Sequence, residues 1–294
     1  MKEKFEPYQG VIHLVFAIIS ILMVLPFVLV VIISLTSESS ILKNGYSFIP
    51  EIWSLDAYRY ILQTPEIMLR AYGITVFITV VGTLCGLLVT AMTAYVISRR
   101  DYRYNRSTTF YVFFTMLFSG GLVPTYILMT QYLHLKDSLL ALVLPALLSP
   151  FNIMVMKGFM SKIPLEIIES AKIDGAREFR IFFTVILPLS KPALATMGLL
   201  ISFGYWNEWF NAMLYIDNQK LVPLQLLLVR ILNSMDFLTT NAEFSSQMGI
   251  NLAEFPNNSA RMAIAVLAGG PMLVIFPFFQ RFFVKGLTVG SLKG

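Results

Sequence analysis

The sequence has 294 residues, of which 56% are hydrophobic and 13% charged, and its mean hydropathy is +0.71. A soluble domain typically carries about a quarter of its residues as charged side chains, so a water-soluble globular fold is excluded and lipid is the solvent for most of the chain. The formal net charge of +5 sits in short segments between hydrophobic runs and reflects membrane topology; it does not point to nucleic acid.

A hydrocarbon core about 30 Å thick needs roughly 20 apolar residues for each helical crossing. Six runs reach that length: Val11–Leu35, Ala71–Ser98, Thr108–Gln131, Ser138–Phe159, Pro192–Tyr215 and Arg261–Phe283. Their hydrophobicity is continuous, not alternating, which predicts helices over barrel strands because lipid-exposed backbone must satisfy its own hydrogen bonds. The predicted fold class is an all-α integral membrane protein, one transmembrane domain over 1–294, with six transmembrane helices.

The first run follows Lys2 and Lys4, as a secretory signal would, but it is too long for a signal core and no small-residue cleavage site follows. It is therefore read as a retained span. In the segment Ser47–Tyr60, Asp56 is placed to cap a short helix beginning at Ala57. On the second span Thr75, Thr79 and Thr83 form a stripe at i, i+4 and i+8, a pattern suited to helix packing. Cys85, the single cysteine, lies in the same span and is read as a small buried hydrophobe. Pro124, Pro145 and Gly269-Gly270-Pro271 are expected to kink or loosen their helices.

Most of the Lys and Arg residues, including Arg99, Arg100, Arg103, Arg106, Lys162, Lys172, Arg177 and Arg180, fall in one alternate set of connecting segments together with both termini. Basic residues are enriched in cytoplasmic segments, so both termini are predicted to be cytoplasmic. Between the fourth and fifth spans, Ser161–Lys191 is long for a simple connection. Pro164 suits the first position of a helix, Glu166 meets the positive end of its dipole and Gly175 suits its stop, so Pro164–Asp174 reads as a short helix. Ile168, Ala171 and Gly175 share a face of apolar and small residues that another surface can approach closely. On physical grounds such a helix is either a docking element for a partner or an interfacial anchor.

In the outer half of the fifth span, Tyr205, Trp206, Asn207, Glu208, Trp209 and Asn211 cluster. Asn207 and Asn211 share a helical face, and amides beside aromatic surfaces suit a sugar. The competing role for these side chains is interface anchoring and helix association. Glu208 is the preferred functional residue, because an ionisable group inside a span costs about 2–3 kcal/mol or more unless it faces a cavity or a partner. No G-x-x-x-x-G-K-[ST] loop, metal-ligand spacing or G-x-S-x-G motif occurs. This excludes an ATPase domain and gives no sign of an enzyme.

Glu169-Ser170-Ala171, Asp174-Gly175-Ala176 and Ile186-Leu187-Pro188 resemble the EAA loop of ATP-binding-cassette importer permeases, in the DGA form of carbohydrate permeases. Ser170 replaces the usual middle alanine. The stretch Trp206–Trp209 and the tail Gln280–Gly294 extend the likeness to MalG-like permeases of the LplC/YtcP branch. The resemblance implies the type I importer permease fold in a bacterial cell membrane. It implies as partners a second homologous permease, two ATPase subunits carrying ATP and Mg, an extracellular solute-binding lipoprotein and an oligosaccharide substrate, with no cofactor in this chain. It places Glu169, Ser170, Ala171, Asp174, Gly175 and Ala176 at the ATPase contact, with Glu169 meeting a basic residue in the ATPase cleft and the carboxyl tail reaching the ATPase dimer interface. An importer of another solute, or a membrane protein that recruits a cytoplasmic partner, are the rival readings.

Overall fold

The computed structural model describes residues 7–241 and 255–291, with the side chains of 10–241 and 255–277. Its regular structure is helical: α1 (Pro7–Ser34), α2 (Glu38–Asn44), α3 (Asp56–Ile61), α4 (Pro65–Ser98), α5 (Asn105–Leu117), α6 (Leu122–Ile127), α7 (Leu140–Val143), α8 (Pro150–Met160), α9 (Leu165–Ile173), α10 (Glu178–Ile181), α11 (Leu187–Leu189), α12 (Lys191–Trp206), α13 (Phe210–Tyr215), α14 (Leu224–Thr240) and α15 (Asn257–Ser291). Single π-helical turns follow α6 at Leu128–Tyr132 and α10 at Phe182–Ile186.

Among the described residues three helices are long and apolar enough to cross a membrane, namely Gly10–Ser34, Pro65–Ser98 and Asn257–Pro277. Two bent pairs raise this to five if each pair is one span: Asn105–Leu117 with Leu122–Tyr132, bent by 109°, and Glu178–Leu189 with Lys191–Trp206, bent by 84°. The predicted runs 11–35, 71–98 and 261–283 thus fall in long helices, while the other three are interrupted. The run 108–131 breaks at Phe118–Gly121, where Gly121 takes φ +87, a conformation that side chains disfavour. The run 138–159 is not one helix: α7 lasts four residues, the chain turns through Pro145, and α8 restarts at Pro150 with the Ser149 hydroxyl accepting from the Asn152 amide at 3.4 Å. The run 192–215 stops at Trp206 and restarts at Phe210. By contrast, α15 is unbroken through Gly269, Gly270 and Pro271.

The chain forms two compact units, Met1–Pro65 with Leu228–Pro271 and Glu66–Leu227 with Met272–Gly294. In the first, almost none of α1 is buried inside the chain, so its apolar surface is left for lipid or another protein. The Ser34 hydroxyl pairs with the Tyr58 hydroxyl at 2.9 Å, and Thr36 bridges Trp53 in antiparallel fashion. Asp56 is itself the first residue of α3, and its amide donates to the Ser54 hydroxyl at 2.9 Å. Glu38 is 7% exposed, and its carboxylate accepts from the amides and side chains of both Asn258 and Ser259 at 2.7–3.1 Å. It therefore satisfies orphan donors at the start of α15 and complements that helix's dipole.

The second unit packs around α4. One apolar cluster joins Ala91, Ala94 and Tyr95 of α4 to Met156 and Met160 of α8, Ile168 of α9, Ile181, Phe182 and Ile186 after it, and Ala193 and Met197 of α12. Gly82 and Gly86 let other groups approach α4. A Cβ at Gly82 would lie 2.5 Å from the Tyr205 ring, and one at Gly86 would lie 3.1 Å from the Leu147 carbonyl oxygen. The Tyr205 hydroxyl donates to the Val143 carbonyl at 2.8 Å. The broken segment between α7 and α8 is thus held against protein, as non-helical backbone at membrane depth requires. Cys85, expected to be buried, is exposed on α4 because the helix turns its Gly82–Gly86 stripe inward.

Candidate functional site

Helix α9 begins one residue later than expected, with Pro164 at its N-cap position. Its end explains the Asp-Gly-Ala sequence. Asp174 is the C-cap; Gly175 follows at φ +76 and donates its amide to the Lys172 carbonyl at 3.0 Å, while the Ala176 amide donates to the Ala171 carbonyl at 3.0 Å. This is a complete Schellman motif, in which the left-handed position is cheapest for glycine. Ala171 and Ala176 both pack against the apolar cluster, supplying the hydrophobic contact that accompanies such an ending. Gly175→Val is expected to destabilise this ending by about 1–2 kcal/mol, read as roughly tenfold faster amide exchange in α9, with Gly175→Asn milder.

The face carrying Ile168 and Ala171 is the one by which α9 is attached to its own chain, since Ile168 is buried and Ala171 packs beside it. Ala171 thus lets α9 sit close on the core that it shares with α4, α8 and α12. The opposite face is open: Glu166, Glu169 and Ser170 are exposed, and Ile173 is 86% exposed. The Ser170 hydroxyl donates to the Ile167 carbonyl at 3.0 Å. Asp174 and Gly175 are exposed at the tip of the loop, and Ala176 is half-buried.

An ionic cluster behind α9 was hidden in the sequence. The Arg99 guanidinium donates through Nε to Asp101 at 2.8 Å, through Nη1 to the Tyr95 hydroxyl at 3.0 Å, and further to Asp101 and Glu178. Lys172 pairs with Asp101 at 3.3 Å and with Glu178 at 3.2 Å. The bond from Arg99 holds the Asp101 carboxyl well below the usual carboxylate range. Burial pushes the Glu178 carboxyl up, but the bonds from Lys172 and Tyr95 and the charge of Arg99 outweigh it and leave the group lowered. Along the chain, the four charged residues Arg99, Asp101, Lys172 and Glu178 are only members of basic segments or helix flanks. The available signal was the i, i+4 spacing of Tyr95 and Arg99.

The second candidate region divides. Tyr205 and Trp206 end α12 and are buried, at 1% and 4% exposure. Asn207 and Trp209 are exposed, and Glu208 and Asn211 are half-buried. Asn207 and Asn211 do not share a helical face, because the helix breaks between them. The Glu208 carboxylate instead accepts from the Asn211 amide at 2.7 Å and from its side chain at 2.9 Å, capping α13. The Asn207 side chain donates to the Phe203 carbonyl at 2.9 Å. In the threonine stripe, Thr75 serves packing by accepting from the Leu224 amide at 2.8 Å. Thr79 and Thr83 line an apolar cavity of about 280 Å³ with Val76, Val80, Ser202, Trp206 and Ile275. Side chains of the tail Gln280–Gly294 lie outside the described residues.

The chain is 38% identical over 271 residues to Protein LplC of Bacillus subtilis (strain 168), covering 92% of this chain and 90% of that protein. It is 40% identical over 281 residues to the polygalacturonan/rhamnogalacturonan transport system permease protein YtcP of the same organism, covering 96% and 95%. A chain of a bacterial ABC transporter involved in the import of the acidic polysaccharide alginate superposes with a TM-score of 0.78 at 27% identity, covering 96% of this chain and all of that one. No protein-family model matches.

Proposed function

The chain belongs to the carbohydrate permeases of ATP-binding-cassette transporters, the family of LplC and YtcP, and on that premise we propose that it forms half of the translocation path of an oligosaccharide importer and is driven through α9. Members of this family are not catalytic; ATP hydrolysis resides on partner subunits. The observation that carries the reading is the two-sidedness of α9. One face is embedded in a core shared with α4, α8 and α12, while the other presents Glu166, Glu169, Ser170 and Ile173 to a partner. A push on that exposed face bears on the core that α9 shares with the membrane helices, and switching between two access states requires such a link.

In this reading the chain crosses the membrane six times, with both termini cytoplasmic. The basic segments around Arg99–Arg106 and Lys162–Arg180 support that orientation. The ATPase contact is Glu169-Ser170-Ala171 and Asp174-Gly175-Ala176. Asn207, Glu208, Trp209 and Asn211 form the solute-facing set, because the break after Trp206 turns amides and an indole away from the core. Tyr205 and Trp206 support that set from behind. A relative named for polygalacturonan and rhamnogalacturonan and a structural neighbour that imports alginate favour a uronate-containing oligosaccharide.

The test is gentle detergent extraction of the tagged chain from its native host, followed by mass spectrometry. A second EAA-type permease, an ATPase and a solute-binding lipoprotein are expected to co-purify. The lipoprotein is then screened against glycans, uronate oligomers first. Reproducible absence of an ATPase would replace transport with recruitment of some other cytoplasmic protein.

A further inference from the structure

The apolar seat of α9 does not by itself fix how the loop moves with the membrane helices. Contacts among Ile168, Ala171, Phe182, Ile186 and the α4 alanines are non-directional, and small residues on both sides permit sliding. The ionic cluster supplies direction. Arg99 follows the last residue of α4 and is only 9% exposed. Its planar guanidinium addresses Asp101 through two nitrogens and Glu178 and Tyr95 through a third, a geometry with one register. Glu178 opens α10, three residues beyond Gly175, and Lys172 lies in the last turn of α9 and closes the ring to both carboxylates.

The far end of this arrangement is also held. The Asn105 side chain donates to the carbonyls of Ile97 at 2.8 Å and Arg99 at 2.7 Å, tying down the C-terminal end of α4 and the turn that carries Arg99 and Asp101. From there α4 runs unbroken for 34 residues to Pro65, passing Gly82 and Gly86, where Tyr205 and the Leu147 carbonyl rest on it. Only Arg99 among the charged groups of this network is buried, the carboxylates and Lys172 being part-exposed, so its contribution to stability is small and fixing register is the use such a network serves best.

We propose that Arg99 is a positioning residue that locks the α9–α10 loop to the cytoplasmic end of α4, so that motion of the docked ATPase moves this helix. The proposal rests on the reading of α9 as the ATPase contact. It adds which transmembrane helix receives the movement and through which side chain.

The test uses the complete complex purified with its ATPase, in a Cys85→Ser background, with spin labels at Glu66→Cys and Arg180→Cys and with Mg-ATP plus vanadate as the only ligands. With Arg99 present, the distance between the labels is expected to stay the same with and without nucleotide. In Arg99→Gln it is expected to broaden and to change on nucleotide binding, while the ATPase stays bound and ATP hydrolysis remains. In a separate assay without vanadate, solute uptake per ATP hydrolysed should fall by about tenfold, a common size for coupling between sites. Arg99→Lys should restore part of the coupling. Glu178→Gln should reproduce the defect, and the double variant should be no worse than Arg99→Gln, because both remove one link. If Arg99→Gln does not assemble, Glu178→Gln carries the test.

Unchanged distances and normal coupling in the neutralised variants would overturn the proposal, as would fully additive losses. A nucleotide-dependent distance with Arg99 intact would also overturn it. Loss of the ATPase from the unsubstituted complex is a different result, because it removes the premise that α9 docks an ATPase.

Discussion

Gly82→Leu is expected to leave almost no folded protein in the membrane, and even Gly82→Ala is expected to cost about 3 kcal/mol, the upper part of the usual range for overpacking. A Cβ at this position would stand 2.5 Å from two ring carbons of Tyr205 and 2.7 Å from a third, where carbon atoms normally rest about 3.5–4.0 Å apart. The ring has nowhere to go. It is 1% exposed and its hydroxyl is tied to the Val143 carbonyl at 2.8 Å. Moving it would strand that carbonyl at the end of α7, where an unpaired group costs about 1–3 kcal/mol. The readout is the monodisperse yield and thermal midpoint of the detergent-extracted chain. Tyr205→Leu should recover part of the Gly82→Ala loss, since it removes the ring that the new methyl meets. Wild-type stability of Gly82→Ala would show that α4 and α12 do not pack as described.

Glu169→Lys is expected to abolish ATP-driven uptake while leaving membrane insertion and thermal stability intact. Glu169 is exposed, and its side chain makes no hydrogen bond or ion pair among the described residues. Reversing its charge therefore falls among surface changes that shift stability by no more than about 0.5 kcal/mol. At a docked interface the same change places lysine against the basic cleft that the family resemblance implies. Disrupting such a charge pair costs on the order of 2–5 kcal/mol of binding, enough to lose the ATPase from the complex. Pull-down of the ATPase by the tagged permease reads this directly. Retained ATPase and normal uptake would remove Glu169 from the contact.

Much of this molecule is legible along the chain. The long apolar runs give helices, and Gly175 stops α9 because its left-handed conformation is a local property of the backbone. The three interrupted runs were not legible as such. Hydropathy registers whether side chains tolerate lipid, and the runs 138–159 and 192–215 are apolar throughout much of their length; it does not register whether each amide finds its partner. Pro145 and Pro150 were visible, but a proline kinks one helix or separates two according to what receives the freed carbonyls. Here the Val143 carbonyl, left open where α7 ends, is met by a tyrosine 62 residues away.

The same division holds at the candidate sites. Ile168, Ala171 and Gly175 announced a surface that something approaches closely, but small side chains do not say from which side, and the fold spends Ile168 and Ala171 on the core shared with α4, α8 and α12 while Gly175 stays exposed. Glu208 was conspicuous because an ionisable group in an apolar run needs a partner, yet the partner it takes is the start of α13, at Asn211. Arg99 looked like one more cytoplasmic charge until the chain returned Lys172 and Glu178 to it across more than seventy residues. By itself, then, the sequence determined the solvent, the helical class, the end of α9 and the family, since each depends on composition or on residues within a turn of one another. Only the tertiary structure decided where helices break, which face of α9 is free and which charges meet, because those depend on hydrogen bonds and contacts between segments that no local pattern connects.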